Sequence, residues 1–340
     1  MTNQKHTAYD LKQMQSLPLD IKIRMTKERI QQWYEHWDGV VYVSFSGGKD
    51  STVLKHIVDE MYDDVPSLFI NTGLEYPEIQ KFAMSQKNVV TIRPEMRFDE
   101  VIKKYGYPVP TKEQSAFIQE FKTTKSDKLK AIRMNGNNHG RGKISDKWLC
   151  ILDAPFNVSD KCCDVMKKKP AIQYEKQTSR KAFIGTMADE SSQRKSNWLI
   201  YGCNAFEKNR PTSQPLSFWT EQDILHYIKQ FDVPYCSVYG EIVPTSEVEQ
   251  FEGQLTTFDV LNDYDGTLLK TTGCDRTGCI FCMFGCHLEK EPNRFQRLKE
   301  THPRQYEYCI GGGEYVDGKW QPPKEGLGLG KVLDYINVKY

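Results

Sequence analysis

The chain has 340 residues, enough for one large domain or two modest ones, and its formal net charge is +1 at pH 7. This balance excludes a global electrostatic attraction to nucleic acid or to a membrane surface, so binding to either would need a local patch. Ten cysteines occur without a stretch that resembles a signal peptide or a long apolar span. We therefore expect a cytoplasmic protein with no membrane partner, whose cysteines serve metal or redox chemistry rather than disulfides.

Helical and strand patterns alternate along the first two thirds of the chain. Apolar residues at helical spacing predict a helix over 20–37, and an apolar run predicts a strand over 40–45. The helix that follows presents an apolar face formed by Val53, Leu54, Ile57, Val58 and Met61. Further strands are predicted over 67–71, 89–93 and 181–186, and a helix over 220–231 with Thr220 as its N-cap. The pattern predicts an α/β fold with a doubly wound, mostly parallel sheet.

Two regions differ from this alternation. Residues 119–149 are rich in Lys, Arg, Asn and Gly, and we interpret them as a basic insertion made of a helix and a mobile loop. From about residue 236 the alternation fades into a cysteine-rich C-terminal extension. We therefore predict three parts: an N-terminal helical segment (1–38), an α/β nucleotide-binding domain (39–235) and a metal- or cluster-binding region (236–340).

A glycine turn follows the first strand, in the sequence Ser-Phe-Ser-Gly-Gly-Lys-Asp-Ser-Thr over residues 44–52. Ligands of parallel sheets bind where strands end and the next helices present free N–H groups. Adjacent glycines let the backbone curl around an anion, to which hydroxyls and a lysine add donors. The candidate phosphate-binding residues are Ser44, Ser46, Gly47, Gly48, Lys49, Asp50, Ser51 and Thr52. The alternative is a tight turn followed by a helix that Asp50 caps.

This turn resembles the pyrophosphate loop of the ATP-pyrophosphatase and phosphoadenosine phosphosulfate (PAPS) reductase superfamily. The resemblance implies an adenine nucleotide, either ATP or the sulfonucleotides adenylylsulfate (APS) and PAPS. It also implies catalytic roles for Lys49, which neutralises phosphate charge, and for Asp50, which could hold Mg²⁺ if the ligand is ATP.

Two later segments resemble the same superfamily. Phe-Ile-Asn-Thr-Gly-Leu-Glu-Tyr-Pro-Glu (69–78) is similar to its second-strand segment, which implies nucleotide contacts by Asn71, Thr72, Gly73 and Glu75. Residues 183–194 resemble its Gly-x-Arg-x-x-Glu-Ser-x-x-Arg loop, which implies contacts by Gly185 and Arg194, although Met187 replaces the first arginine. Residues 214–235 also resemble a family segment.

Four cysteines lie within residues 274–286, in the sequence Cys-Asp-Arg-Thr-Gly-Cys-Ile-Phe-Cys-Met-Phe-Gly-Cys. The Cys279-x-x-Cys282 spacing lets two thiolates meet one metal, and Cys274 and Cys286 could complete a local zinc or iron–sulfur site. The Cys-Cys-x-x-x-Lys-x-x-Pro sequence over 162–170 resembles a motif of APS reductases. That resemblance implies a four-iron–four-sulfur (4Fe–4S) cluster on Cys162, Cys163, Cys279 and Cys282, with Lys167 beside it as a supporting cation; zinc on the local quartet is the alternative. Cys150, Cys203 and Cys236 are expected to be small buried hydrophobic residues.

The chain has no counterpart of the C-terminal Glu-Cys-Gly-Leu-His motif that carries the nucleophile of sulfonucleotide reductases. Cys309 is the nearest candidate nucleophile. The resemblance therefore favours ATP-dependent adenylation and sulfur transfer to a nucleic acid, tRNA or DNA, with a sulfur-donor protein such as a cysteine desulfurase. One alternative is an APS or PAPS reductase that works with thioredoxin and uses Cys309; another is a non-enzymatic regulator that senses nucleotide and cluster. The basic residues that could contact a polynucleotide are Lys122, Lys125, Lys128, Lys130, Arg133, Arg141, Lys143, Lys167, Lys168 and Lys169.

Overall fold

The structure is a computed structural model that describes residues 4–245 and 267–340. It divides into two compact units. The first consists of Met1–Asn71, Tyr76–Ile92 and Ile172–Thr277, and the second of Thr72–Glu75, Arg93–Ala171 and Gly278–Tyr340. The domain boundaries at 38/39 and 235/236 stay predictions.

A six-stranded sheet forms the centre of the first unit. Its strands are β1 (Val41–Ser44), β2 (Ser67–Ile70), β3 (Val89–Ile92), β4 (Lys181–Ile184), β5 (Asn204–Ala205) and β6 (Thr212–Ser213). The spatial order is β3-β2-β1-β4-β6-β5, and every neighbouring pair is parallel except β5 with β6. β1 therefore occupies a central position, and the predicted mostly parallel α/β sheet is confirmed.

Alternation along the strands places apolar side chains on both faces of this sheet. On one face, Val43 and Phe183 belong to the same core cluster as Ile57. On the other face, Tyr42 and Ala182 cluster with a different set of side chains. Both faces are covered, as the doubly wound arrangement requires.

Helices of the first unit are α1 (Ala8–Gln15), α2 (Leu19–His36), α3 (Lys49–Met61) and α4 (Pro77–Ser85). The second unit contributes α5 (Phe98–Tyr105), α6 (Lys112–Thr123) and α7 (Asp127–Asn135). A π-helical turn, Asp164–Lys168, leads into α8 (Lys169–Thr178). In the first unit, α9 (Ser192–Tyr201) and α10 (Glu221–Gln230) follow. The helices predicted over 20–37 and 220–231 correspond to α2 and α10, and Thr220 caps α10 by accepting a hydrogen bond from the Asp223 amide.

Residues 119–149 are more helical than the sequence predicted. The end of α6, the whole of α7 and the start of a 3-10 helix, Asp146–Asp153, all fall within them. The prediction of a single helix there was wrong. Thr111 and Ser126 each accept a hydrogen bond from an amide of the following helix, so two separate helices begin at these residues.

The remaining elements lie after residue 236. In the first unit, β7 (Ile242–Pro244) pairs antiparallel with β8 (Leu269–Thr271). The second unit ends with α11 (Arg294–Thr301), α12 (Pro303–Ile310), a hairpin of β9 (Glu314–Val316) and β10 (Lys319–Gln321), and α13 (Leu329–Tyr335). Within the described ranges, no helix has the length and apolar character needed to cross a membrane.

Candidate functional site

The glycine loop (residues 44–52) connects the end of β1 to the start of α3. Gly47 has φ +73°, a conformation that favours glycine, and an added Cβ would lie 3.0 Å from Ile79 Cγ2 and 3.2 Å from the Ile79 carbonyl oxygen. Gly48 is the N-cap residue of α3 in extended conformation. The two glycines therefore allow a sharp turn between a central strand and the N-terminus of a helix, where helix dipole and amides favour an anion.

Hydroxyl groups hold the loop in shape from inside. The Ser51 hydroxyl accepts a hydrogen bond from the Ser46 amide (3.2 Å) and donates to the Gly48 carbonyl oxygen (2.9 Å). The Thr52 hydroxyl donates to the same carbonyl at 2.9 Å. These two side chains, predicted as phosphate donors, are buried and bonded to the loop backbone, so in this state they fix its curvature.

Two further loop amides donate to side-chain hydroxyls. The Gly48 amide donates to Ser46 Oγ at 3.3 Å, and the Lys49 amide donates to the Tyr239 hydroxyl at 3.1 Å. The Tyr239 hydroxyl is also 2.6 Å from Thr277 Oγ1. Burial raises the pKa of Tyr239 to about 12, so the phenol stays protonated at neutral pH. The acceptors are neutral hydroxyls, and a phosphate oxygen is a stronger, charged acceptor for the same amides.

Lys49 is held by three groups of the first unit. Its ammonium pairs with the Glu221 carboxylate, donates to the Asp275 carbonyl oxygen at 2.6 Å and lies 5.5 Å from the centre of the Tyr239 ring. The side chain is 4 % exposed. A buried cation at the start of a helix opposes the helix dipole, and Glu221 compensates for it here.

Asp50 carries a buried carboxylate oxygen without a hydrogen-bond donor. The residue keeps some exposed surface, yet its Oδ1 atom is buried and has no hydrogen-bond partner. Burial raises the pKa of Asp50, while Lys49 opposes the shift and Glu221 adds to it. An unpartnered buried oxygen is costly unless something binds it, and a divalent cation is the ligand that its chemistry fits.

Two arginines interact electrostatically with Asp50. One is the predicted Arg194, which forms an ion pair with Glu190 on the turn before α9. The other is Arg276, which the sequence analysis did not select. Burial and the charge of Arg276 lower the pKa of Arg194, whereas Asp50 opposes that shift. The first unit thus gathers Lys49, Arg194 and Arg276 beside the glycine loop.

The other predicted nucleotide contacts divide between the two units. In the first unit Ser44 is half-buried. Asn71 is buried, and its backbone amide donates to the Ile92 carbonyl oxygen at 2.9 Å. Gly185 packs on the first turn of α3, where an added Cβ would lie 2.9 Å from the Asp50 carbonyl oxygen. Thr72, Gly73 and Glu75 belong to the second unit. There the Thr72 hydroxyl donates to Glu75 at 2.6 Å, so this carboxylate shapes its own turn.

The four-thiol group (Cys162, Cys163, Cys279 and Cys282) lies within the second unit. Cys162 hydrogen-bonds to Cys163 and interacts electrostatically with Cys279 and Cys282. Cys279 hydrogen-bonds to Lys167 and also interacts with Glu75. Over the described ranges, no three His, Cys, Asp or Glu side chains are spaced to hold a single metal ion. The group is therefore a set of neighbouring thiols rather than a preformed one-ion site.

The surroundings of this group favour a thiolate at Cys163. The hydrogen bond from Cys162 lowers the pKa of Cys163, and Lys112 and Lys167 act in the same direction. The same hydrogen bond raises the pKa of Cys162, so the pair shares one proton. The charge of Cys279 raises the pKa of Lys167 and keeps the ammonium protonated. The Lys167 side chain is exposed, and desolvation opposes this rise in its pKa without cancelling it.

The remaining cysteines are placed as follows. Cys203 and Cys236 are buried, as expected, but Cys150 is exposed and the prediction of a buried hydrophobic residue was wrong there. Its segment is a short surface 3-10 helix in which Trp148 and Ile151 face inward instead. Of the alternate ligands, Cys274 interacts electrostatically with Cys236 in the first unit, whereas Cys286 is buried in the second.

Cys309, the candidate nucleophile, is fully buried on α12. Its exposed fraction is 0 %, and burial raises its pKa well above the usual range for a thiol. A nucleophile needs a thiolate that reaches its substrate. This placement suits a packing role.

The basic residues are unequally available to a polynucleotide. Arg133 pairs with Glu120 and lies 4.1 Å from the centre of the Phe117 ring, and Lys122 donates to the Ile151 carbonyl oxygen at 3.2 Å. Lys143 pairs with Asp146, and Lys168 with Asp164. Arg133 and Lys130 are half-buried. The other residues of this group are exposed: Lys122, Lys125, Lys128, Arg141, Lys143, Lys167, Lys168 and Lys169.

The sequence and the fold were compared with those of known proteins. The profile of the phosphoadenosine phosphosulfate reductase domain matches residues 40–141 and 112–284, which is more than half of the chain. Two uncharacterised proteins of Methanocaldococcus jannaschii are similar: one is 25% identical over 300 residues (86% of this chain), the other 29% identical over 283 residues (81%). Each match covers 48% of the relative, so the chain spans about half the length of these relatives.

Solved structures that match the chain include the following three. A PAPS reductase from Candida auris, in complex with phosphate, is 16% identical, with 62% of this chain and 82% of that chain covered and a TM-score of 0.36. An FMN adenylyltransferase from Candida glabrata is 13% identical, with 68% and 65% covered and a TM-score of 0.37. A tRNA thiolase from Methanococcus maripaludis, solved with its 4Fe–4S cluster, is 16% identical, with 64% and 66% covered and a TM-score of 0.34.

Proposed function

The chain belongs to the phosphoadenosine phosphosulfate reductase family, and from that membership we propose that it is an enzyme that binds Mg²⁺ and ATP at the glycine loop. We propose further that it activates an acceptor by adenylation for sulfur transfer, with a nucleic acid as the acceptor. Its second unit would hold a 4Fe–4S cluster on the four-thiol group.

The unpartnered Oδ1 atom of Asp50 is the observation that carries the choice of ATP. ATP arrives with Mg²⁺, and a carboxylate oxygen beside the phosphate loop can bind that cation. A sulfonucleotide brings no obligatory cation, so its anion would face the Asp50 charge directly. Lys49 and Arg194 supply positive charge for the phosphate chain on the same loop.

The reaction that this site supports is attack on the α-phosphorus of ATP. An acceptor oxygen forms a bond to that phosphorus, the bond to the bridging oxygen breaks, and pyrophosphate leaves with the electron pair. Sulfur at the oxidation level of sulfide then displaces AMP from the activated acceptor. Lys49 and Arg194 would stabilise the charge that develops on the phosphates, and the amide-lined turn would align them.

The donor chemistry of the four-thiol group fits a cluster. Four thiols, with a lowered pKa at Cys163 and the Lys167 ammonium beside Cys279, provide the ligands that iron–sulfur clusters use. Lys112 and Lys167 would offset the negative charge of bound thiolates. When bound, a cluster supplies iron–sulfide chemistry to this unit.

A sulfonucleotide reductase is less well supported, because Cys309 is buried and its pKa is raised. The exposed basic residues Lys125, Lys128 and Arg141 match the charge of a nucleic-acid acceptor. A tRNA and a DNA acceptor are separate arms of the test.

Ligand selectivity and pyrophosphate release test this function. ATP with Mg²⁺ should raise the melting temperature more than APS or PAPS does, since a ligand that binds only the folded state stabilises it. Pyrophosphate should then be released in the presence of tRNA or of DNA. Asp50→Asn should abolish the Mg²⁺ dependence of this release. Arg304→Ala, at an exposed position, is the matched control. Tight ATP binding without any turnover would indicate a regulator, and a preference for APS or PAPS would overturn the proposal.

The cluster has its own test. Protein purified without oxygen should be brown and contain about four irons, as the cluster type requires. Cys279→Ala should lose the colour, whereas Cys274→Ala should keep it. Colourless protein with one zinc per chain, lost in Cys274→Ala, would assign the site to the local quartet instead.

A further inference from the structure

We propose that Arg276 contacts the phosphate chain of the nucleotide as part of the glycine-loop site. This inference rests on the proposed nucleotide function and adds a residue outside the segments that resemble the superfamily's nucleotide-binding motifs. It follows from the way the chain presents Arg276 and from the charges around it.

Both neighbours of Arg276 are tied to the glycine loop. The Asp275 carbonyl oxygen accepts a hydrogen bond from Lys49 Nζ at 2.6 Å, and the Thr277 hydroxyl lies 2.6 Å from the Tyr239 hydroxyl, which itself accepts from the Lys49 amide. Arg276 thus lies between two residues whose positions are fixed by contacts to the start of α3.

The backbone before Arg276 is fixed as well. The Gly273 amide donates to the Tyr239 carbonyl oxygen at 2.9 Å, and the Cys274 amide donates to the Val238 carbonyl oxygen at 3.0 Å. These bonds continue the pairing of β7 with β8 towards the loop. Arg276 is therefore presented by an anchored segment, which lowers the entropy lost when its side chain is ordered by a ligand.

Charge compensation separates Arg276 from the other two cations of the site. Glu221 pairs with Lys49, and Glu190 pairs with Arg194. In the part of the chain that the structure describes, Arg276 has no carboxylate within ion-pair distance, and its side chain is exposed. Its charge acts on both groups: it lowers the pKa of Asp50 and the pKa of Arg194.

A guanidinium without an ion pair that repels a second guanidinium is the arrangement that a phosphate resolves. Guanidinium groups bind phosphate oxygens through two parallel hydrogen bonds, and an anion between Arg194 and Arg276 would turn their repulsion into attraction. A solvated surface arginine would show neither the anchored neighbours nor the proximity to a buried carboxylate. The ligand chemistry is therefore a polyphosphate, bound with its cation at Asp50.

The test compares three probes on the purified full chain: ATP with Mg²⁺, inorganic tripolyphosphate with Mg²⁺, and adenosine. Arg276→Ala should weaken ATP and tripolyphosphate by about tenfold to a hundredfold, the range for hydrogen bonds to charged groups. Adenosine affinity should not change. Arg276→Lys should recover part of the loss, and Arg304→Ala, an exposed arginine of the second unit, should bind all three like the unsubstituted protein.

The outcomes separate this inference from the proposed function. If the unsubstituted protein binds neither ATP nor tripolyphosphate, the proposed function fails. If it binds both and Arg276→Ala binds them equally well, the function stands and the inference about Arg276 is overturned. An equal loss of adenosine affinity in Arg276→Ala would also overturn it, since that result would indicate a structural role.

Discussion

The hydroxyl of Tyr239 accepts a hydrogen bond from the backbone amide of Lys49 at 3.1 Å. That amide belongs to the first residue of α3, and like the other amides of a helix's first turn it has no acceptor within the helix. The tyrosine oxygen therefore occupies a position at which a phosphate oxygen would accept. Nucleotide binding at this amide requires the exchange of a neutral hydroxyl acceptor for a charged one.

This exchange predicts an unusual effect for Tyr239→Phe. Loss of a buried hydrogen bond should lower the free energy of unfolding by about 1 kcal/mol. ATP affinity should nevertheless be maintained or increase several-fold, because the amide no longer has a competing acceptor. Denaturant unfolding and ATP titration measure the two effects.

Tyr235→Phe is the matched control for that experiment. Its hydroxyl donates to the Gly240 carbonyl oxygen at 3.0 Å on the same segment, rather than engaging an amide of the glycine loop. It should lose similar stability with no change in ATP affinity. A tenfold loss of affinity in Tyr239→Phe alone would mean that the hydroxyl binds the nucleotide rather than competes with it.

The glycine loop could be predicted from the sequence because its determinants are local. Gly47 and Gly48 follow directly on an apolar strand, and the apolar face of α3 repeats at helical spacing. Tyr239 and Arg276 could not be predicted in this way. Tyr239 reaches the loop through a hydrogen bond to Lys49 across 190 positions. Arg276 is placed there by its neighbour Asp275, whose carbonyl oxygen contacts Lys49 across 226 positions. Neither residue belongs to a motif with local chemistry. The only sequence signal was the position of Arg276 within the cysteine-rich segment.

The burial of Asp50 predicts a pH-dependent gain in stability for Asp50→Asn. Burial raises the pKa of this carboxyl in the folded state, so at neutral pH the folded protein carries the cost of a buried charge. In chelator-treated protein without nucleotide, Asp50→Asn should therefore be more stable at pH 7. The difference should shrink as the pH falls through the raised folded pKa and the carboxyl takes up a proton.

Urea unfolding of both proteins from pH 4 to pH 8 measures this difference. Asp59→Asn offers a comparison on the same helix, since the Asp59 carboxylate has a lysine partner, Lys55, at 2.7 Å. A gain in unfolding free energy for Asp50→Asn that is independent of pH would contradict the burial of a charged carboxylate at this position.

The buried ion pair between Lys22 and Asp223 predicts a large stability effect. Both side chains are 0 % exposed, with Lys22 Nζ 2.8 Å from Asp223 Oδ2, and they join α2 to α10 within the first unit. Removing one partner leaves a buried charge, so Lys22→Ala should cost about 3 kcal/mol or more of unfolding free energy. Lys27 lies on α2 as well and forms an exposed pair with Glu60. Lys27→Ala should cost less than about 1 kcal/mol of unfolding free energy. Similar losses in both variants would contradict the buried pair.

Different accessibility of two cysteines tests the reductase alternative. Cys150 is exposed and Cys309 fully buried, so an alkylating reagent should modify Cys150 in the native protein and Cys309 only after unfolding. Peptide mass spectrometry before and after denaturation distinguishes them. Native modification of Cys309 that ATP or APS slows would return this thiol to the candidate nucleophiles.

The position of Cys150 also shows where sequence reasoning about cysteines is limited. Its apolar neighbours suggested burial, but Trp148 and Ile151 fill the interior side of the 3-10 helix, and a helix of three residues per turn places Cys150 outward. The vicinal Cys162 and Cys163 could be associated with Cys279 only by resemblance to a motif, because spacing alone does not relate thiols more than a hundred residues apart.

The charge of Lys167 should affect the reduction potential of the proposed cluster. Its ammonium hydrogen-bonds to Cys279 and is held protonated by the charge of that thiol. A fixed positive charge stabilises the reduced, more negative cluster, so Lys167→Met should lower the reduction potential on the order of tens of millivolts while iron content is retained. Lys169→Met, an exposed lysine two residues further on, should shift it much less. Equal shifts in the two variants, measured by anaerobic redox titration of the visible absorption, would show that Lys167 acts only through overall charge and not through its contact with Cys279.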